Sequence, residues 1–586
     1  MLRFPRALWL AAFFAVTLAL PSLLADFYCD DQAMVLRLEN IAPAPVPGPF
    51  HLYTFASGAP EQRHLLVDGG PLPWWTFDGL RLSFFRPLSS ALFAFDHAIA
   101  GRRPLFYHVH SIAWYTAAVL VTAMLLRRVL PEREAALAAL LFAVSPAHWM
   151  LASWPSARHG AISGALAMAA IALHLRARRQ PGAPARLVLA ALACAALGLA
   201  AGETALGAFA YVAAYEGIGR REPIRERVRA LAPWGALFLA YAALYAGLGF
   251  GVRGSSAYVD PIAQTGEYLA RLPTRLAVFA NAALLGIPSE LSTLAPQAIP
   301  ALATMGAVAV VALAMLLRRA RRTLEPELAR TLAWLLAGAA LAVLPGAAGI
   351  PGDRILFMPN LGIASALAVV LLHAGVKGNR AALAALPARA GVAIFGLVHI
   401  VLGPLLFAFG AAQLASSSHA ALAAAVRAEI PARDGVNVVG IGLADPLVGM
   451  YLPSSLWIAP RPEPRPRAVH VLTMSPRDHV VRRTDARTLE ITIVNGVLLQ
   501  GGFETVVRPP SAPLRAGDTV PLGAWTVRIV DDDAGRPKRF SVTFDRPADD
   551  PSLAFVTWRD GALRAWTPPP IGQEVTVKHA IGPMGI

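Results

Sequence analysis

Cysteine is nearly absent: the 586 residues contain two, Cys29 and Cys194. Cys29 follows the first apolar run and Cys194 lies inside a later one, so no disulfide framework and no thiolate metal site is implied. Charge is scarce too. Asp, Glu, Lys and Arg make up 15% of the chain against 56% hydrophobic residues, with a mean hydropathy of +0.52. A soluble chain of this length carries nearly twice that charge. Long apolar runs joined by short arginine-rich connectors exclude the soluble class and specify an integral membrane protein. There is no internal repeat of the kind that marks a solenoid or propeller. No paired His/Asp spacing marks a metal site, so no metal ligand and no cofactor is expected, with a divalent cation left open.

The net charge of +15 does not point to nucleic acid. The arginines gather in connectors: Arg127, Arg128 and Arg133; Arg176, Arg178, Arg179 and Arg186; Arg220, Arg221, Arg225, Arg227 and Arg229; Arg318, Arg319, Arg321 and Arg322. Such clusters face the cytoplasm beside anionic lipid. A span needs about 20 apolar residues. Eleven are expected, near 7–25, 107–126, 134–151, 160–175, 187–202, 204–218, 231–250, 299–317, 331–349, 355–374 and 390–412. With the amino terminus cytoplasmic, every arginine cluster then falls on one face and the end of the chain lies outside. Glu203 separates two short helices in 187–218; merging them would put the arginines at 318–322 outside, which counts against one long span. The first run, preceded by Arg3 and Arg6, also resembles a signal peptide, but residues 23–25 fit the small-x-small cleavage pattern poorly.

Two outer loops are long. Residues 26–104 hold a Pro/Gly-rich stretch at 41–50, an aromatic patch (Trp74, Trp75, Phe77) and a helical stretch at 88–99. Residues 251–298 carry Tyr268, Leu272, Leu276 and Phe279 at helical spacing, a pattern that suits the interface plane. Beyond residue 415 the character changes. A helical linker is expected over 416–435, and from 436 to 586 the chain alternates in strand fashion, as in Leu489-Glu490-Ile491-Thr492-Ile493, with turn clusters such as Ala534-Gly535-Arg536-Pro537. The fold class expected is an all-α polytopic membrane domain (1–415) followed by an extracytoplasmic, mostly-β domain (436–586), a sandwich or open barrel.

Asp30 and Asp31 sit where the first span leaves the bilayer, where carboxylates are either solvated or chemical. Their surroundings resemble a known family. Tyr28-Cys29-Asp30-Asp31, Phe85-Arg86-Pro87-Leu88-Ser89, Tyr107-His108-Val109, Leu141-Phe142-Ala143-Val144-Ser145-Pro146-Ala147-His148 with Trp154 and Arg158, Glu203-Thr204-Ala205, and Asp353-Arg354-Ile355-Leu356-Phe357-Met358-Pro359 occur in order. Together they resemble the membrane glycosyltransferases of the GT-C fold, in the protein O-mannosyltransferase-like branch that often carries tetratricopeptide repeats. The resemblance covers roughly residues 5–375, and six short motifs in register make it specific. The chain departs from the pattern at several points. His159 follows Arg158 with no acid near it in sequence, Gly202 stands where a lysine precedes the glutamate, Ser145 stands where a histidine precedes the proline, and a β domain replaces the repeats.

The resemblance implies transfer of a sugar from a polyprenyl-phosphate donor, with inversion, to an acceptor glycan, lipid or protein on the periplasmic face of a bacterial inner membrane. Membrane lipids are expected neighbours and nucleic acid is not. Asp30 or Asp31 would be the base for the acceptor hydroxyl. Arg158, Arg354, His108 and Arg86 would hold the departing phosphate, a task suited to the planar guanidinium. His159, Glu203 and Asp353 are supporting candidates, with Glu203 read as the internal partner of an arginine. Arg86 before Pro87 could equally snorkel to the interface. Trp74 and Trp75 would anchor at the interface or stack on a sugar ring. The alternative is a catalytically inactive scaffold of the same fold that acts through its β domain.

Overall fold

The computed structural model describes all residues except 1–2, 42–47, 181–184, 376–385, 444, 462–463 and 586. Most of the Pro/Gly-rich stretch at 41–50 therefore lies outside the described residues. The chain divides into two compact units: Met1–Ala25, Phe84–Phe250 and Asp260–Ala415 form the first, and Asp26–Ser83, Gly251–Val259 and Ser416–Ile586 form the second.

The first unit is helical. Among the described residues, seven helices are long and apolar enough to cross a membrane, or eight if a pair bent by 50° counts as one span. The chain is a multi-pass membrane protein. Each of the eleven expected spans meets a helix, but Ala185–Ala201, Leu206–Ala214 and Pro359–His373 are short. The bent pair, Glu132–Ala143 and Pro146–Ser153, breaks just before Pro146. A proline disfavours helical backbone in the residue before it and lacks the N–H that a continuous helix would need. In the region 187–218, Ala185–Ala201 ends before a short turn, Glu203–Ala205, and Leu206–Ala214 follows as a separate helix. The first helix, Phe4–Ala19, buries Ala7, Ala11, Ala15 and Ala19 on one stripe while Trp9 and Phe13 face outward. Small residues on the packed face let helix backbones approach closely, and large apolar ones suit lipid.

The residues 268–279 expected at helical spacing lie in the helix Thr265–Leu285, which packs against other helices of the unit. Tyr268 donates to the Leu344 carbonyl (2.8 Å), and Gly306 lies so close to the Ala277 carbonyl that a Cβ would overlap it. The helix expected at 416–430 is the continuation of Gly403–Val426 rather than a separate linker.

The second unit contains three sheets. A small antiparallel sheet joins Thr54–Ser57, Arg81–Ser83 and Gly251–Arg253. A six-stranded antiparallel sheet runs in the order Glu574–Val577, His479–Arg483, Thr488–Ile493, Arg536–Thr543, Trp525–Asp533 and Thr519–Leu522. A four-stranded sheet places Ala562–Ala565, Leu553–Arg559, Asn437–Ile441 and Ala468–Val471 side by side, with the last three mutually parallel. The crossover between Asn437–Ile441 and Ala468–Val471 carries the helix Leu452–Ile458, as a parallel connection requires. This mixed α/β sheet departs from the expected sandwich or barrel.

Residues 26–83 were expected as a loop of the membrane region, yet they fold with the C-terminal residues. Trp74 and Trp75 are buried there, and their indole N–H groups donate to the carbonyls of Leu472 and Glu504 (3.1 Å each). They serve as core side chains with satisfied polar edges, so they neither anchor at an interface nor present a face to a sugar.

Candidate active site: a carboxylate turn and a guanidinium cluster

In the second unit, Asp30 and Asp31 open the helix Asp30–Leu38. Cys29, just before it, has φ +49°, an uncommon backbone state for a residue with a side chain. Sharp turning here places both carboxylates at the helix N-terminus, where the partial positive charge of the free N–H groups favours them. Asp31 is fully buried, and its Oδ2 accepts from the Tyr28 amide (3.1 Å), which closes the turn. Asp30 is half-buried and its Oδ1 accepts from the Tyr451 hydroxyl (2.9 Å). Burial, and then the charge of Asp30, push the Tyr451 phenol well up, so it remains a donor. The two adjacent acids thus do different work: Asp31 holds the turn and Asp30 is the more accessible.

In the first unit, several of the expected cations come together. Arg86 stands just before the helix Pro87–Ala100. Its Nε and Nη2 each lie 2.8 Å from Glu203 Oε2, and its guanidinium lies over the Phe84 ring (4.6 Å). Glu203 is therefore the partner of an arginine, as expected; its Oε1 is buried without a hydrogen bond. The charges of Arg86 and Arg354 both act on the His159 ring. Gly202 makes room for that ring, since a Cβ there would lie 2.9 Å from His159 Nδ1. A lysine at this position would have to displace the histidine.

Arg354 is the distinctive member. It is half-buried, and its guanidinium makes no hydrogen bond or ion pair with a described residue. Two carboxylates, Asp353 and Glu290, feel its charge, and their hydrogen bonds go to other groups. Asp353 Oδ1 accepts from the Ser289 amide (2.8 Å) and hydroxyl (2.7 Å), and the Asp353 amide donates to Glu290 Oε1 (2.8 Å). Burial, then the neighbouring Asp353 charge, push the Glu290 carboxyl up, while burial also raises Asp353. Glu290, which lies in the loop after the helix Thr265–Leu285, was missed by sequence reasoning because nothing around it forms a motif.

Two other expected cations lie apart from this cluster. Arg158 is fully buried, with Nη2 at 2.6 Å from Asp96 Oδ2 and Nη1 at 3.2 Å from the Tyr107 carbonyl. Asp96 also accepts from, or pairs with, His110 Nδ1 (2.6 Å). The acid missing beside Arg158 in sequence is thus supplied from 62 residues away. His108 is buried with Nδ1 at 2.7 Å from the Ser153 carbonyl. Among the described residues no group of three His, Cys, Asp or Glu side chains is arranged to hold a metal ion.

No protein-family model and no curated protein matches this sequence. Solved structures do resemble the fold. The chain is similar to the archaeal oligosaccharyltransferase AglB from Archaeoglobus fulgidus, solved with an inhibitory peptide and a dolichol-phosphate, at 14% identity and a TM-score of 0.45. That likeness covers 80% of this chain and 64% of the other, so the chain spans less than two thirds of the oligosaccharyltransferase. It is also similar to ArnT from Cupriavidus metallidurans bound to undecaprenyl phosphate, at 13% identity and a TM-score of 0.41, covering 80% of this chain and 89% of that one.

Proposed function

We propose that this chain is a GT-C-like membrane glycosyltransferase of the protein O-mannosyltransferase-like branch. It moves a sugar from a polyprenyl-phosphate donor to an acceptor at the periplasmic face of a bacterial inner membrane. The observation that supports this best is Arg354, a half-buried guanidinium with no hydrogen bond or close ion pair to a described residue, whose charge is felt by His159 and by the Glu290 and Asp353 carboxylates. A guanidinium whose N–H groups donate to no described residue keeps its planar fork for the oxygens of a phosphate.

In the proposed reaction the acceptor hydroxyl oxygen bonds to the anomeric carbon as the bond from that carbon to the phosphate oxygen breaks. The electron pair leaves with the phosphate, for which Arg354, with Arg86 and His159, is the candidate partner in the first unit. In the second unit Asp30 is the candidate base for the acceptor proton. Asp31 shapes the turn that carries Asp30. Arg158 and Asp96, sealed as a pair, hold the helix ends from which His159 and the helix Pro87–Ala100 project.

The inactive-scaffold reading draws on the same turn, because Asp31 and Asp30 both have partners within the second unit. The test is transfer from undecaprenyl-phosphate hexoses by the purified full chain and by its Asp30→Asn variant. Loss of transfer in the variant supports the enzyme; no transfer by the unaltered chain with any donor supports the scaffold.

A further inference from the structure

The crossover helix Leu452–Ile458 lies against the helix Asp30–Leu38, and two polar contacts pin them together. The Tyr451 hydroxyl donates to Asp30 Oδ1 (2.9 Å), and one helical turn later the Ser455 hydroxyl donates to Gln32 Oε1 (2.8 Å). Gln32 is itself fixed, since its Nε2 donates to the Phe27 carbonyl (3.0 Å). Ser455 and Gln32 are buried, so this second contact is a costly one to leave unmade. The spacing of four residues on one helix against two on the other sets a unique register between them. A carboxylate whose oxygen is tied to a phenol loses rotational freedom and keeps a fixed face toward an incoming proton.

We infer that Tyr451 is a positioning residue for Asp30, so that the C-terminal segment completes the general base and is more than an appendage for binding acceptor. This rests on the reading of Asp30 as the base given above. The phenol stabilises the ionised carboxylate by donating to it. The charged or titratable groups facing this pair include Arg37 and Asp31 on the Asp30 helix and Tyr28 and Cys29 just before it; the charge of Asp445 acts on Tyr28 and Cys29, and Tyr258 acts on Tyr451.

The experiment compares Tyr451→Phe, Ser455→Ala and Asp30→Asn in the full chain. It follows release of undecaprenyl phosphate from undecaprenyl-phosphate hexoses across pH, with a melting curve for each variant. Tyr451→Phe is expected to lower kcat by about 10- to 100-fold and to move the acid limb of the rate profile upward, with the donor KM unchanged. Ser455→Ala should lower the melting temperature without moving that limb. An inactive Asp30→Asn beside a Tyr451→Phe with unaltered rate and profile overturns the inference while leaving the base reading standing. A Tyr451→Phe that loses activity only in proportion to its melting temperature, with the acid limb in place, overturns it as well. An Asp30→Asn that retains full activity removes the base reading and the inference with it.

Discussion

Arg158 and Asp96 face each other at 2.6 Å with side chains only 2% and 0% exposed, although 62 residues separate them in the chain. Breaking a buried pair leaves the remaining charge without compensation, at a cost of about 3–5 kcal/mol. Arg158→Met and Asp96→Asn are therefore expected to reduce the folded protein recovered from membranes and its melting temperature. The double variant should be less damaging than either single one added together. A folded, fully stable Arg158→Met would show that the pair does not carry this role.

Arg354 should behave differently because no hydrogen bond or ion pair ties its guanidinium to a described residue, although its charge steadies the Glu290 and Asp353 carboxylates. Arg354→Ala is expected to leave the melting curve within about 0.5 kcal/mol of the unaltered protein and to weaken donor use by roughly 10- to 100-fold in kcat/KM, the loss of a charge-assisted contact of about 1.5–3 kcal/mol. Arg354→Lys should recover only part of this, since an ammonium lacks the planar fork. Isotope-labelled undecaprenyl phosphate binding to the two variants provides the check.

Glu290 sets a pH dependence for the same cation. Burial and the Asp353 charge raise its carboxyl, so it is neutral over a wider range than an exposed glutamate, and its Oε2 is buried without a hydrogen bond. The charges that act on Glu290 are those of Asp353 and Arg354, and the elements packed against the pair also carry His148, His159, His174, Glu267, Tyr268, Arg271, Arg275 and His373. As pH rises through the raised value, Glu290 gains a negative charge beside Arg354 and competes with the phosphate. Donor KM should therefore climb above neutrality in the unaltered chain and stay flat in Glu290→Gln. A KM that rises equally in both would place the titration elsewhere.

Glu504 predicts a pH slope in stability. Its Oε2 accepts from the Gln500 and Gly501 amides (3.0 Å each), its Oε1 is buried without a partner, and burial pushes its carboxyl up to about 7. The folded state thus binds the proton more tightly than the unfolded one. The stabilising contribution of the neutral form is full below the unfolded value and declines as pH rises toward 7, by on the order of 3 kcal/mol in all. Glu504→Gln should flatten this decline, as read by denaturant melts at about pH 5 and about pH 8. An unchanged slope would contradict it.

Much of the fold was legible, and the reasons are local. Residues 488–493 alternate buried and half-buried side chains, so the strand Thr488–Ile493 shows in the sequence as period two. The apolar runs show as helices because lipid exposes them all round. Leu553–Arg559 carries no such signal: six consecutive residues are buried, and a strand covered on both faces has no alternation to read. Its parallel pairing with Asn437–Ile441 joins segments more than a hundred residues apart, which no local pattern encodes. The pairing of Arg86 with Glu203 was anticipated in kind, as an acid beside an arginine, but the identity of the arginine was not. That Arg158 is sealed in an ion pair and Arg354 is not depends on which carboxylates fold back to meet them: Asp96 reaches Arg158 at 2.6 Å, whereas Glu290 and Asp353 act on Arg354 without a hydrogen bond to it. Side-chain partners are set by tertiary packing, and a list of motifs treats both arginines alike.

The central claim is that Asp30 takes the acceptor proton during sugar transfer, and one measurement addresses it most directly. The full chain and Asp30→Asn, matched for yield and melting temperature, are supplied with undecaprenyl-phosphate hexoses in membranes containing the native acceptors. The account predicts labelled sugar in an acceptor with the unaltered chain and at least about a thousandfold less with the variant. Equal labelling by both would contradict it.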